Sequence, residues 1–213
     1  MLGRLLNISV NHINNGIRMK NINLKVITIA CVVLGTSVAV GGETPKGWLA
    51  AGSNPKDYDM SIDRSISHSG KASASLKSVV SNTDGFGTLM QMFKADAFRG
   101  KRVRMSGYVM SKEVKDWAGL WLRVDGSQGG EILAFDNMQD RPIKGTTDWA
   151  KYEIVLDVPE QSQAVAFGLL LTGRGQVWMD GLKFEVVAKD VATTGGRATE
   201  GVSKAPTNLD FEE

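Results

Sequence analysis

The sequence predicts an all-β protein, an antiparallel β-sandwich (jelly roll) of about nine strands. Three observations predict it. Apolar residues between 58 and 187 recur with a period of two rather than that of a helix. Clusters of Gly, Asp, Asn or Pro interrupt these short runs, as turns between strands require. No amphipathic helix longer than two turns is legible, Lys112 to Trp117 being the only short candidate.

The elements follow in order. Tyr58, Met60 and Ile62 alternate with Asp59, Ser61 and Asp63, and Ala72, Ala74 and Leu76 alternate with Ser73, Ser75 and Lys77. Between these two strands His68-Ser-Gly-Lys reads as a turn. A run at 86–93 follows. Val103, Met105, Gly107 and Val109 then oppose Arg102, Arg104, Ser106 and Tyr108, one apolar face against one polar face. Runs at 118–125 and 131–137 come next, and then Tyr152, Ile154, Leu156 and Val158 alternate with Lys151, Glu153 and Asp157. Ala164 to Leu171 is apolar on both faces, which predicts a central strand covered on each side. The last strand, Gln176 to Val187, carries a bend at Asp180-Gly181.

The sequence predicts three parts: 1–40, a signal peptide, with Met19 as an alternative start; 41–188, the sandwich; and 189–213, a Gly-rich flexible tail ending in Asn208-Leu-Asp-Phe-Glu-Glu213. Lys20 and Lys25 precede the uncharged run Val26 to Val40, which is shorter than a membrane span and ends in small residues suited to cleavage. The expected location is therefore periplasmic or extracellular, with no membrane span after cleavage. The formal charge of +2 misleads, because residues 1–39 hold four basic residues and no acidic one; the remainder has 21 basic against 23 acidic residues. That balance speaks against a nucleic-acid partner. Cleavage also removes Cys31 and His12, leaving no cysteine nucleophile, disulfide or Cys/His zinc site, and His68 as the single histidine.

Three phrases, His68-Ser-Gly-Lys-Ala-Ser-Ala-Ser-Leu, Gly145-Thr-Thr-Asp-Trp-Ala-Lys-Tyr-Glu and Gly175-Gln-Val-Trp-Met-Asp-Gly-Leu-Lys-Phe, occur in this order. Together they resemble carbohydrate-binding modules of the family-four and family-nine type, within the galactose-binding-like class. A group of exported or membrane-attached bacterial proteins with an uncharacterised module of this kind, sometimes labelled transcriptional regulators, is similar too. The resemblance implies a jelly roll, a non-catalytic binding role and a possible structural calcium at Asp180, with Asp210 or Glu212 as partner. The bland alternative for Asp180 is an Asp-Gly bend without metal.

Sugar recognition needs flat aromatic surface for C–H groups and planar polar groups for hydroxyl pairs. Alternation suggests one face offering both: Arg104 and Tyr108, Trp121 and Arg123, Asp136 and Asn137, and Gln91. Trp121 is alternatively covered by the loop Phe135 to Pro142, and that loop is alternatively braced by its own Asx hydrogen bonds. The expected function is non-catalytic binding of carbohydrate or a similar polar ligand by a monomer with no required cofactor. The other readings are an envelope protein-interaction or structural module, which an apolar patch near Met90, Met92, Met110 and Met138 would mark, and hydrolysis by a carboxylate pair.

Overall fold

The computed structural model describes residues 42–127 and 130–195; the leader, Asp210, Glu212 and the 208–213 phrase lie outside these residues. Nine strands follow one another: β1 (Leu49–Gly52), β2 (Tyr58–Asp63), β3 (Ser73–Ser78), β4 (Phe86–Lys94), β5 (Arg102–Asp125), β6 (Ile132–Asp136), β7 (Ile143–Asp157), β8 (Ala164–Thr172) and β9 (Gln176–Val187). Two single-turn 3-10 segments, Pro55–Asp57 and Ala95–Ala97, complete the described elements, which include no α-helix. No helix among them is long and apolar enough to cross a membrane.

All strand pairs are antiparallel, and β5 is common to both layers of the sandwich. Its first half, to Lys112, lies between β9 and β7, giving a first sheet ordered β2-β3-β9-β5-β7. Its second half, from Trp117, lies between β8 and β6, giving a second sheet ordered β1-β4-β8-β5-β6. The corner falls at Ser111–Ala118, where the register with β7 shifts twice. Glu113 there adopts a positive φ of 52°, and Gly175 packs so closely that a Cβ on it would stand 2.7 Å from Val114 Cα. The short helix expected at Lys112–Trp117 is therefore the bend of one long strand. Pairing on both flanks overrides local preference.

The core lies between the layers. Met60, Leu76, Met105 and Val177 from the first sheet meet Leu89, Leu120, Leu122 and Leu169 from the second, all buried. At one end Phe184 of β9 packs edge-on against Phe167 of β8 at 4.9 Å and Phe93 of β4 at 5.5 Å, which ties the two sheets together. β8 is buried along both faces, as a central strand should be. The Asp180–Gly181 bend is present too: Gly181 has φ of 62° and the β5–β9 register shifts opposite it.

The strand count agrees with the sequence reading for partly different reasons. The runs at 102–109 and 118–125 are one strand, β7 starts at Ile143, and β1 is additional. Beyond β9 the chain stays on the domain as far as Gly195. Thr194 N–H donates to the Val155 carbonyl and the Val155 N–H to Thr194 Oγ1, each at 2.9 Å. The tail read as flexible from 189 thus begins with a docked segment.

Candidate functional site

The expected binding face does not assemble, and β5 is the reason. Arg104 and Tyr108 alternate with core residues Val103, Met105 and Val109, so they face outward from the first sheet. Trp121 and Arg123 alternate with core residues Leu120, Leu122 and Val124, beyond the corner, and face outward from the second. Odd positions face the core before the bend and even positions after it, so the polar positions of the two halves belong to opposite surfaces.

The remaining members also separate. Asp136 pairs opposite core residue Leu122, is buried, and binds Arg141 at 2.6 Å while accepting the Met138 N–H at 2.8 Å. Asn137 accepts the Gln139 N–H, so this loop is braced by Asx bonds. Gln91 shares the inward parity of Leu89 and Phe93. Trp121 is only 4% exposed, and its indole N–H donates to Thr88 Oγ1 at 2.8 Å. The loop after β6 crosses that face beside it: the Asn137 carbonyl stands 3.0 Å from where a Cβ on Gly119 would lie. Arg123 is held by Asp125 at 2.7 Å. None of these five shares an open face with Arg104 and Tyr108.

The outer face of the first sheet carries two open depressions. A depression of about 550 Å³ is lined by Asp59, Ser61, Asp63, Ser75, Lys77 and Gln176. A second, of about 460 Å³, shares Asp63 and Gln176 and extends over Met110 and Trp178 to Thr146 and Asp148. Strand alternation builds this floor, since β2, β3 and β9 turn Met60, Leu76 and Val177 inward and their polar neighbours outward. The floor is held in place by its own bonds. Asp63 accepts the Ser65 hydroxyl at 2.6 Å, the Ser65 N–H at 2.8 Å and the Trp178 indole N–H at 2.8 Å. These donors, led by the Ser65 hydroxyl, hold its carboxyl below the usual range. Gln176 Nε2 donates to Ser75 Oγ at 3.0 Å, and Ser61 Oγ to Asp59 at 3.2 Å.

The groove adjoins an aromatic corner. The exposed His68 ring stacks flat on Tyr108, with centroids 3.6 Å apart and planes 12° from parallel; Trp149 stands edge-on to His68 at 5.8 Å and 68°. Ile66, Met110 and Asp148 line the second depression, so each of the three rings lies one or two residues beyond a groove residue. Asp180 fixes the corner: one carboxylate oxygen accepts the N–H groups of His68 at 3.0 Å and Ser69 at 2.8 Å, the other that of Gly181 at 2.7 Å.

That arrangement does not fit calcium. Three N–H groups turn their positive ends toward the Asp180 carboxylate, where a cation would need further oxygens. Among the described residues no three His, Cys, Asp or Glu side chains gather to hold a metal. Asp180 works as a turn clamp there. Of the methionines expected to mark an interaction patch, Met138 is in the core and Met110 in the groove, while Met90 lies with Trp121 on the second sheet.

No family model matches the chain. It is 49% identical over 169 residues, 79% of its length, to a Bacillus subtilis (strain 168) protein named as an uncharacterised HTH-type transcriptional regulator, YbfP. The chain spans 57% of that relative's length. Among solved structures it is similar to the CBM22-1 xylan-binding domain of Paenibacillus barcinonensis Xyn10C, with 18% identity, a TM-score of 0.49 and coverage of 68% of this chain and 88% of that one. It is also similar to TmCBM61 in complex with β-1,4-galactotriose, with 12% identity, a TM-score of 0.45 and coverage of 68% and 91%.

Proposed function

We propose that this protein is a non-catalytic binding module for carbohydrate, exported by its N-terminal leader, and that the ligand lies in the groove on the outer face of the first sheet. One observation carries the reading: a preorganised polar groove runs into an exposed, rigidly held aromatic corner. The two halves suit the two surfaces of a sugar. Its C–H face packs against the His68 and Trp149 rings, and its hydroxyls exchange hydrogen bonds with Gln176, Asp59, Asp148 and Thr146. Because Asp63 and Asp180 already accept several protein N–H or O–H donors, they shape the site and do not serve as acid or base. Recognition is then an equilibrium on a preformed surface, with little ordering cost.

A thermal-shift scan of the full chain against a panel of soluble glycans tests the reading, since a ligand that binds only the folded state raises its melting temperature. A glycan that stabilises the protein, with the shift removed by His68→Ala, supports the groove. A cooperatively folding protein that responds to no glycan, or a shift insensitive to His68→Ala, refutes it.

A further inference from the structure

The row Ile62, Ala74 and Met179 crosses β2, β3 and β9 on the inner face of the first sheet, and it is the inward row nearest the turn between β2 and β3. The neighbouring inward row, Met60, Leu76 and Val177, is buried in the core, whereas Ile62 and Ala74 stay half-buried. They floor an open cleft of about 270 Å³, on the face opposite the polar groove. Leu182, past the Asp180–Gly181 bend, and Pro45 and Trp48, before β1, complete its apolar wall.

The wall is held by backbone bonds. The Ile62 N–H donates to the Glu43 carbonyl at 2.9 Å and Thr44 Oγ1 to the Met60 carbonyl at 3.2 Å, which lays the chain before β1 along the β2 edge. The Trp48 N–H then closes a turn on the Pro45 carbonyl at 3.0 Å, and Gly47 supplies the positive φ, 81°, that a type II turn needs at its third residue. The Trp48 ring packs edge-on against Phe167 at 5.5 Å. The polar capacity of the cleft is already used. The Ser73 hydroxyl donates to the Ile66 carbonyl at 2.7 Å, and Asp180 accepts the three N–H groups of His68, Ser69 and Gly181. Besides these two side chains, the lining offers only the Trp48 indole N–H as a polar side-chain group. A sugar, with a hydroxyl on nearly every carbon, would leave most of them unpaired here.

We propose that this cleft is a second binding site, for a small uncharged molecule built on one aromatic ring with at most one polar substituent, of the phenol type. The size suits it. The cleft, at about 270 Å³, exceeds the ~150 Å³ of an apolar cavity that takes benzene and falls just short of the ~300 Å³ at which drug-sized pockets begin, so it admits one substituted ring. The lining selects an aromatic guest over an aliphatic one: Trp48 offers edge-to-face contact, and Met179, 3% exposed, offers its thioether. The Asp180 carboxylate on the wall repels an anionic substituent. The proposal is independent of the carbohydrate reading, which concerns the other face of this sheet.

Methyl NMR of the full chain labelled at methionine reads it, with p-cresol as the probe and 4-hydroxybenzoate as its anionic counterpart. Millimolar p-cresol is expected to shift the Met179 methyl resonance saturably and to give ring-to-methyl Overhauser effects there, with Met110 in the outer groove unmoved. The response to 4-hydroxybenzoate is expected to be several-fold weaker. Ala74→Leu fills the cleft with three further carbons and is expected to melt no lower than the unaltered protein while losing the saturable response. A folded, unaltered protein whose Met179 methyl does not respond overturns the proposal, as does a response shared equally by Met110 or one that survives Ala74→Leu. Equal responses to the two probes overturn the uncharged class of ligand. Should Ala74→Leu fail to fold, the Overhauser effects in the unaltered protein decide alone: present at Met179 they support the site, and absent they overturn it.

Discussion

Asp157 holds the segment that follows β9 to the sandwich, and its replacement by asparagine gives a prediction whose size and pH dependence follow from geometry. Arg102 grips the carboxylate with Nε at 3.0 Å and Nη2 at 2.8 Å, and Lys189 adds a third contact at 2.8 Å. The Arg102 hydrogen bond first, and Lys189 after it, lower the Asp157 pKa from 3.8 to about 2 against the opposing effect of burial. Taken at face value that difference is worth ~2 kcal/mol. The side chain is 42% exposed, however, so solvent screening reduces it to about 1 kcal/mol. The sign follows from linkage. A carboxyl whose folded value is depressed stabilises the protein above the unfolded value and loses that contribution as pH falls through the folded one. Asp157→Asn should therefore melt about 2–4 °C below the unaltered protein at pH 7. The gap should narrow between pH 4 and pH 2. Urea unfolding of both proteins across that range is the assay, and a gap that stays constant down to pH 2 would refute the pairing.

Three further outcomes are expected. Asp180→Ala frees the His68 and Ser69 N–H groups, costs about 1–2 kcal/mol by chemical unfolding because the freed donors meet water, and weakens glycan binding more than it weakens the fold; equal binding in the variant would show that the clamp does not shape the site. Trp121→Ala removes a buried indole and its bond to Thr88 and is expected to cost about 3 kcal/mol, yet leaves glycan affinity unchanged; a selective loss of affinity in calorimetry would restore the second sheet as the ligand face. Glu113→Gly relieves a positive φ of 52° at an exposed corner and should raise stability by about 1 kcal/mol; a lower melting temperature would mean that its side chain contributes more than its backbone costs.

Most of the fold was legible because a sheet with one buried face writes its pleat into the sequence. Tyr58, Met60 and Leu76 declare their faces without any neighbour being known, and Ala164–Leu171 declares a strand covered on both sides. β1 was not legible: Leu-Ala-Ala-Gly is a short edge strand with no alternation to detect. The β5 corner was not legible either: two clean alternations, odd positions inward before Lys112–Trp117 and even positions inward after it, read as two separate strands while one strand changes layer. That hidden exchange undid the candidate site, placing Trp121 and Arg123 on the far side from Tyr108 and Arg104. His68 was read as an exposed turn residue, which it is, but its stacking on Tyr108 depends on Asp180, distant in sequence and brought near by the β3–β9 pairing. The outward residues of β2 and β3 were identifiable as polar-face positions, whereas Trp178 on β9 was not. What alternation cannot supply is which polar faces lie side by side.

The central claim is that the outer face of the first sheet, and not the second, is the binding surface. Titration calorimetry of one stabilising glycan against the full chain and its His68→Ala/Trp149→Ala and Trp121→Ala variants tests it most directly. Binding abolished by the first variant and kept by the second is the predicted result. Binding kept by the first and lost from a folded Trp121→Ala protein would contradict it.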